Sequence, residues 1–223
     1  GVCEKNCNRM GGSKISNLTP FSIIAWVVSV VFHPIVYATL GTAVLLLVLP
    51  EYHYFHIEVK QRLLSIIFIV TYVLPLVIIP LYYLLLRVSK TKVGERHARL
   101  FLLFATTLIY SFVYKNLLVY SFFSSIHVYL LLCTSLLFVS FIITFFWKIS
   151  LHMIGVGGFV GLLFSLLIFN HIYNEILFAA AVFVAGTVAF ARVLLQAHTQ
   201  LQIYIGFAVG FIISVLFLSL LPL

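Results

Sequence analysis

The chain contains no aspartate and very little charge of either sign. Its five acidic residues are all glutamates, and charged residues make up 8% of the 223 positions. The missing aspartate excludes chemistry that depends on this side chain, such as the phosphorylated aspartate of ATPases, the Walker-B magnesium site and the aspartic-protease dyad. The low charge and the mean hydropathy of +1.22 exclude a water-soluble domain.

Cysteine is also scarce, and its three positions do not form a disulfide framework. Cys3 and Cys7 lie in the polar stretch 1–19, whereas Cys133 lies inside an apolar run. The stretch has no apolar core of its own, so we interpret it as a polar N-terminal tail rather than a signal peptide. We predict that residues 20–223 form a single transmembrane helical domain.

Long apolar runs dominate these residues. A helix needs about 20 residues to cross a hydrocarbon core of roughly 30 Å, which allows six or seven crossings in this chain. The sequence predicts an all-α integral membrane protein, a bundle of six to seven transmembrane helices. The apolar runs lie at about 21–49, 63–87, 100–120, 126–147, 153–169, 175–191 and 203–221.

Prolines interrupt the first two runs. Pro34 lies in the first, and Pro75 and Pro80 lie in the second. A membrane helix tolerates proline where its neighbours satisfy the freed backbone groups. His33 is a candidate functional group because ionisable residues deep in a membrane span usually have a role. Next to Pro34, we interpret it instead as the cap of a carbonyl freed by a kink.

Positive charge is concentrated on one side of the predicted bundle. Counting the spans puts the tail, the loop at 87–99 and the turns at 147–152 and 192–202 on the same face. The ten cations on this face, of 13 in the chain, are Lys5, Arg9, Lys14, Arg87, Lys90, Lys92, Arg96, Arg99, Lys148 and Arg192. One explanation is the positive-inside rule, by which loops rich in lysine and arginine lie in the cytoplasm; this face would then be cytoplasmic. The other explanation is an anion-binding site.

Three segments of this face combine cations with groups that can attack phosphorus or transfer a proton. Lys148, Ser150 and His152 precede or begin the fifth span, and Arg192 and His198 precede the seventh. The third segment is the loop before the third span, which contains Lys90, Lys92, Glu95, Arg96, His97 and Arg99. Cleavage of a phosphate ester needs cations and hydroxyls around the phosphate oxygens, a nucleophile, and an acid for the leaving alkoxide. His198 could carry the phosphoryl group while His152 protonates the leaving group. This scheme needs neither a metal nor a cofactor, and we predict none.

The spacing of these residues resembles the type 2 phosphatidic acid phosphatase superfamily, whose motifs read Lys-x6-Arg-Pro, Pro-Ser-Gly-His and Ser-Arg-x5-His-x3-Asp. Arg192 and His198 match the third motif, in which Ala191 and Gln202 replace the serine and the aspartate. The resemblance covers roughly residues 90–221.

The other two motifs match in part. Ser150 and His152 match the second motif, with Ile149 and Leu151 in place of the proline and the glycine. Lys92 and Arg99 have the spacing of the first motif but are followed by Leu100, and Arg96 is an equally plausible arginine.

The resemblance implies a role for each matched residue. His198 would be the nucleophile and His152 the acid, and phosphate would be bound by Arg192, Ser150, Lys92 and Arg96 or Arg99, with Lys148 beside them. Gln202 stands one helical turn after His198, where the family has the aspartate that orients the nucleophile. It can accept a hydrogen bond but brings no charge. The analogous change in a serine-protease triad lowers the rate by a factor on the order of 10⁴.

Simpler interpretations compete with this site. A single histidine at the end of a membrane helix is usually an interfacial residue, and a basic loop usually sets orientation or contacts anionic lipid. His53 and His56 have a spacing compatible with a metal, but no carboxylate or cysteine cluster accompanies them, so we predict no metal site.

We therefore hypothesise an integral membrane phosphatase that hydrolyses a phosphomonoester or pyrophosphate on a lipid through a phosphohistidine. The alternatives are an impaired member of the same fold that binds anionic lipid or a membrane partner, and a small transporter. The expected partners are the bilayer and the phosphorylated lipid, with no nucleic acid. The resemblance implies a bacterial inner membrane with the site on the extracytoplasmic side, although the charge count favours the inside.

Overall fold

A computed structural model describes residues 20–88, 94–118, 123–221 and 223, and these residues contain helices and no strand. A 3₁₀ turn at Pro50–Tyr52 follows the second helix, and a π-helical turn at Ile69–Val73 follows the third. The α-helices are α1 Pro20–Val31, α2 Val36–Val48, α3 Ile57–Phe68, α4 Leu74–Val88, α5 Glu95–Leu117, α6 Ser124–Phe146, α7 Leu151–Ile168, α8 Glu175–Leu194 and α9 Gln200–Leu220.

Six helical segments of the described chain are long and apolar enough to cross a membrane, and the count is seven if α1 and α2 form one bent span. One of the six is the continuous segment Ile57–Tyr82, and the others lie within α5 to α9. The predicted all-helical class is confirmed. The second segment begins at Ile57 rather than near residue 63, because α3 starts with a polar turn that includes Glu58.

The predicted kink at Pro34 is a complete break, with a bend of 61° between α1 and α2. The carbonyl of Ser29, in the last turn of α1, lies 3.0 Å from Nε2 of His152. A carbonyl can only accept, so His152 donates this hydrogen bond. Nδ1 of His33 is buried without a partner. The prediction that His33 caps the broken helix is therefore wrong, because His152 reaches the carbonyl from α7.

The second proline-containing span is repaired by its neighbour, as expected. Pro75 has no N–H to donate to the carbonyl of Thr71, one turn earlier. The chain forms its π-helical turn there, and the hydroxyl of Tyr110 in α5 donates to the Thr71 carbonyl at 3.2 Å. Pro80 is accommodated inside α4.

Close packing of α7 against α9 sets the position of the predicted site. Gly157 and Gly161 of α7 are spaced four apart, as are Gly206 and Gly210 of α9, the pattern that lets membrane helices approach backbone to backbone. A Cβ on Gly161 would lie 2.9 Å from the carbonyl oxygen of Phe211, so no larger residue fits. The two helices are parallel because α8 returns the chain between them, and both begin at the same end of the bundle.

Candidate active site

A cavity of about 670 Å³ opens at the end of the bundle where α5, α7 and α9 begin. Its cationic and imidazole lining residues are His33, Arg99, Lys148, His152, Arg192 and His198. Five of these six were predicted site residues, and they come from the loop at 87–99 and the turns at 147–152 and 192–202. No carboxylate is among the described residues that line the cavity, so its polar end is strongly positive.

His198 is held in one tautomer by Gln202. Nδ1 of His198 lies 3.0 Å from Oε1 of Gln202, and the backbone N–H of Thr199 donates to the same oxygen at 3.3 Å. An atom that accepts from a backbone N–H must be the amide oxygen, which fixes the orientation of the side chain. Nδ1 therefore carries the proton, and Nε2 keeps the lone pair needed for attack on phosphorus.

Gln202 has this orientation because it also caps α9. Thr199 is the N-cap residue, and its hydroxyl accepts from the backbone N–H of Gln202 at 3.4 Å. This reciprocal pair is a capping box, which favours glutamine or glutamate at the third helical position. The hydrogen-bond partner of His198 is thus fixed by the helix start itself.

Burial keeps His198 neutral. The pKa of His198 is lowered to about 4, chiefly by desolvation; the hydrogen bond that His198 donates to Gln202 raises it, and the charges of Arg192, Arg99 and Lys148 lower it. At neutral pH the imidazole is uncharged, and the lone pair of Nε2 is available.

No protein-family model, curated protein or solved structure matches this chain. The interpretation of the site rests on the residues and their geometry.

His152 and Arg192 are joined by Ser29, a residue that sequence reasoning missed. Ser29 accepts from His152 through its carbonyl and from Nη1 of Arg192 through its hydroxyl, the latter at 3.5 Å. Nε of Arg192 is buried without a hydrogen-bond partner. A buried guanidinium N–H without a partner is unfavourable, and an anion in the cavity could satisfy it.

His33 also belongs to this end of the cavity. Its ring packs edge-on against His152 with the ring centroids 5.3 Å apart, and its buried Nδ1 has no partner. The signal for a functional role was present in the sequence, since His33 is an ionisable residue inside an apolar run. The neighbouring proline led to the wrong interpretation.

The structure shows which of the two candidate arginines, Arg96 or Arg99, lines the cavity, a choice that sequence spacing left open. Arg99 lines the cavity, and its Nη2 donates to the carbonyl of Ile149 at 2.8 Å. Arg96 is exposed, does not line the cavity, and donates from Nε to the carbonyl of Thr144 at 3.3 Å. Lys92 lies outside the described residues.

Ser150 is not brought into the cavity lining. It is fully buried at the N-cap position of α7, and its hydroxyl has no hydrogen-bond partner. Glu175, at the start of α8, lies about 25 Å along that helix from Arg192 and cannot supply a carboxylate to this end of the cavity.

The arrangement suits a tetrahedral anion. Arg99, Lys148 and Arg192 supply positive charge from three parts of the chain, and α7 and α9 begin in the same region with their N-terminal ends, which favour negative charge. A neutral imidazole with an available lone pair and a second imidazole lie beside these cations. Among the described residues there is no group of three histidine, cysteine or acidic side chains that could hold a metal ion.

Proposed function

We propose that this protein is an integral membrane lipid phosphatase that cleaves a phosphomonoester or pyrophosphate from a lipid. The observation that carries the proposal is the meeting of His152, His198 and three cations at the positive end of one otherwise apolar cavity. A phosphate group fits the charged end, and the lipid body fits the rest. The apolar helices support a location within a membrane.

The reaction has two steps. Nε2 of His198 attacks phosphorus, an N–P bond forms, and the bond between phosphorus and the lipid oxygen breaks, while His152 gives a proton to the departing alkoxide. Water then attacks phosphorus, the N–P bond breaks, and phosphate leaves as His198 is restored. In the acid form of His152 both ring nitrogens carry a proton, so that Nε2 donates to Ser29 while Nδ1 gives its proton to the alkoxide. Nδ1 then takes a proton from the attacking water, which restores the acid form.

The direct test is phosphate release from lipid phosphates by the purified protein. We expect His198→Ala to abolish release and His56→Ala to retain it, because His56 is exposed and far from the cavity lining. Quenching in alkaline detergent during turnover should trap phosphate on the wild-type protein and none on the His198→Ala variant, because the N–P bond of phosphohistidine survives base but not acid. Equal release by the wild type and His198→Ala would refute the nucleophile.

The neutral Gln202 favours a second candidate, a lipid-binding protein that has lost catalysis. In that case the purified protein binds lipid phosphates but releases no phosphate from them. Arg192→Gln would then weaken binding, whereas His198→Ala would leave it nearly unchanged.

The proposed location is a bacterial inner membrane, with the site facing the extracytoplasmic side. His97 is an exposed residue near the start of α5, at the charged end of the bundle. In a background without Cys3 and Cys7, a His97→Cys variant should react with an impermeant thiol reagent in intact cells. Reaction only after the cells are opened would place the site in the cytoplasm.

A further inference from the structure

The cavity continues beyond its charged end into the apolar interior of the bundle. It follows α5 from Arg99 to Tyr110 and α6 from Ser140 back to Tyr129. Each of these stretches is about 16 Å long at the rise of an α-helix. The hydrocarbon core of a membrane is roughly 30 Å thick, so the cavity is about as deep as the hydrocarbon layer of one leaflet.

The deep part of the cavity suits a hydrocarbon chain. Three of its polar side chains, Thr106, Tyr110 and Tyr129, donate to helix carbonyls at distances between 2.6 and 3.2 Å. The buried hydroxyl of Tyr37 is the exception and has no partner. The apolar lining includes Leu102, Leu103, Leu132, Leu136 and Leu137.

The volume limits how much lipid can enter. A cavity of 150 Å³ holds the six carbons of benzene, or roughly 25 Å³ for each carbon. On that scale the 670 Å³ of this cavity hold about 27 non-hydrogen atoms. One chain of about 16 carbons and a small phosphate headgroup fill this space, and a second chain of that length exceeds it.

We infer that the cavity binds the hydrocarbon chain of a single-chain lipid phosphate, with the phosphate at Arg99, Lys148 and Arg192 and the chain end near Tyr110 and Tyr129. The two tyrosines are 3% and 2% exposed, and both are anchored by the hydrogen bonds described above, so they form a fixed floor. The distance from the cations to this floor limits the chain length. The inference rests on the proposed function for the position of the headgroup.

The first test compares substrates with the same headgroup. Phosphate release is measured from monoacylglycerol phosphates with chains of 8 to 20 carbons and from two-chain phosphatidic acids, at equal surface fraction in detergent micelles. We expect the rate of phosphate release to be about tenfold or more higher for single-chain substrates. An apolar pocket discriminates by at least about tenfold against a substrate with one methylene too many, and a second chain adds far more than that. Equal rates for one and two chains would overturn the inference.

The second test replaces Cys133 with a bulky residue that would occupy part of the cavity. Cys133 lines the cavity farther from the charged end than Ser140 does. Cys133→Phe should lower release from a 16-carbon substrate by about tenfold while sparing an 8-carbon substrate, whose chain ends above the added ring. Cys133→Ala is the matched control and should retain the wild-type profile. Retained release from the short substrate shows that the variant is folded, and an unchanged preference between the two lengths would contradict the inference.

A third measurement does not depend on hydrolysis. A 16-carbon alkyl phosphate with a photoreactive group at its chain end is crosslinked to the wild type and to His198→Ala, and the products are mapped by mass spectrometry. Crosslinks within residues 102–110 and 129–137 that face the cavity support the inference, even if no substrate releases phosphate. Crosslinks confined to lipid-exposed residues such as Phe104 and Leu108 would refute it.

Discussion

Replacing Gln202 with glutamate is expected to accelerate phosphate release. Glutamate keeps the length of the side chain and is equally suited to the capping box with Thr199. It places a carboxylate where the amide oxygen now lies, 3.0 Å from Nδ1 of His198. The phosphorylated imidazole is positively charged, so the new charge stabilises the transition state more than the neutral resting enzyme.

The magnitude follows from the pKa of His198. A carboxylate in contact with an imidazole raises its pKa by about 1–3 units, and each unit corresponds to about 1.36 kcal/mol, or tenfold. Starting from a pKa of about 4, the variant would titrate at roughly 5–7. Release at pH 8 should therefore rise by about 10- to 10³-fold. Because a protonated His198 cannot attack, the acid limb of the rate profile should move to higher pH in the variant.

The assay is phosphate release from a lipid phosphate as a function of pH, from pH 4 to pH 9. Gln202→Met keeps the length without an acceptor and should lower release, since Nδ1 of His198 would lose its partner. Thr199→Ala keeps that partner but removes the cap, costing about 1 kcal/mol of stability with little effect on rate. The reasoning is refuted if Gln202→Glu neither raises the rate nor moves the acid limb.

Three further predictions concern other parts of the site and its frame. Arg99→Gln should lower kcat/KM by about tenfold or more through lost charge-assisted bonds to phosphate, whereas Arg96→Gln should change it by less than about threefold; equal losses would contradict the assignment. Gly210→Ala should lower the thermal midpoint of unfolding in detergent, because a Cβ there meets the backbone of α7. The control Gly186→Ala has open space around it and should leave the midpoint unchanged or raise it slightly. His33→Phe should lower the specific activity and leave the thermal midpoint nearly unchanged, because it removes Nδ1 from the cavity but keeps a ring beside His152. A large fall in the midpoint with normal specific activity would show a structural role.

The spans and their order were predictable because each apolar run is long enough to cross a membrane. Counting the spans also predicted that Lys148, Arg192 and His198 would lie at one end of the bundle, where the structure places them. Which arginine of α5 faces the cavity was not predictable from the sequence. Arg96 and Arg99 lie less than one turn apart, and only their packing shows which of them faces the cavity.

The contribution of α1 was beyond sequence reasoning. Ser29 contacts His152 and Arg192 across 123 and 163 positions of the chain. Neither contact has a local pattern, since a serine in an apolar helix usually bonds to its own backbone. Ser150 illustrates the converse, because its spacing from His152 led us to predict a site residue, but its side chain is buried and does not line the cavity.

The glycine-lined contact between α7 and α9 divides the site into a fixed part and an adjustable part. His152 and His198 are carried at the starts of these two helices, so their separation is a property of two backbones in contact. The cations come from α5, from the turn before α7 and from the end of α8, on long side chains. Exchanging or repositioning these cations would change which headgroup is accepted, while the spacing of the two histidines stayed the same.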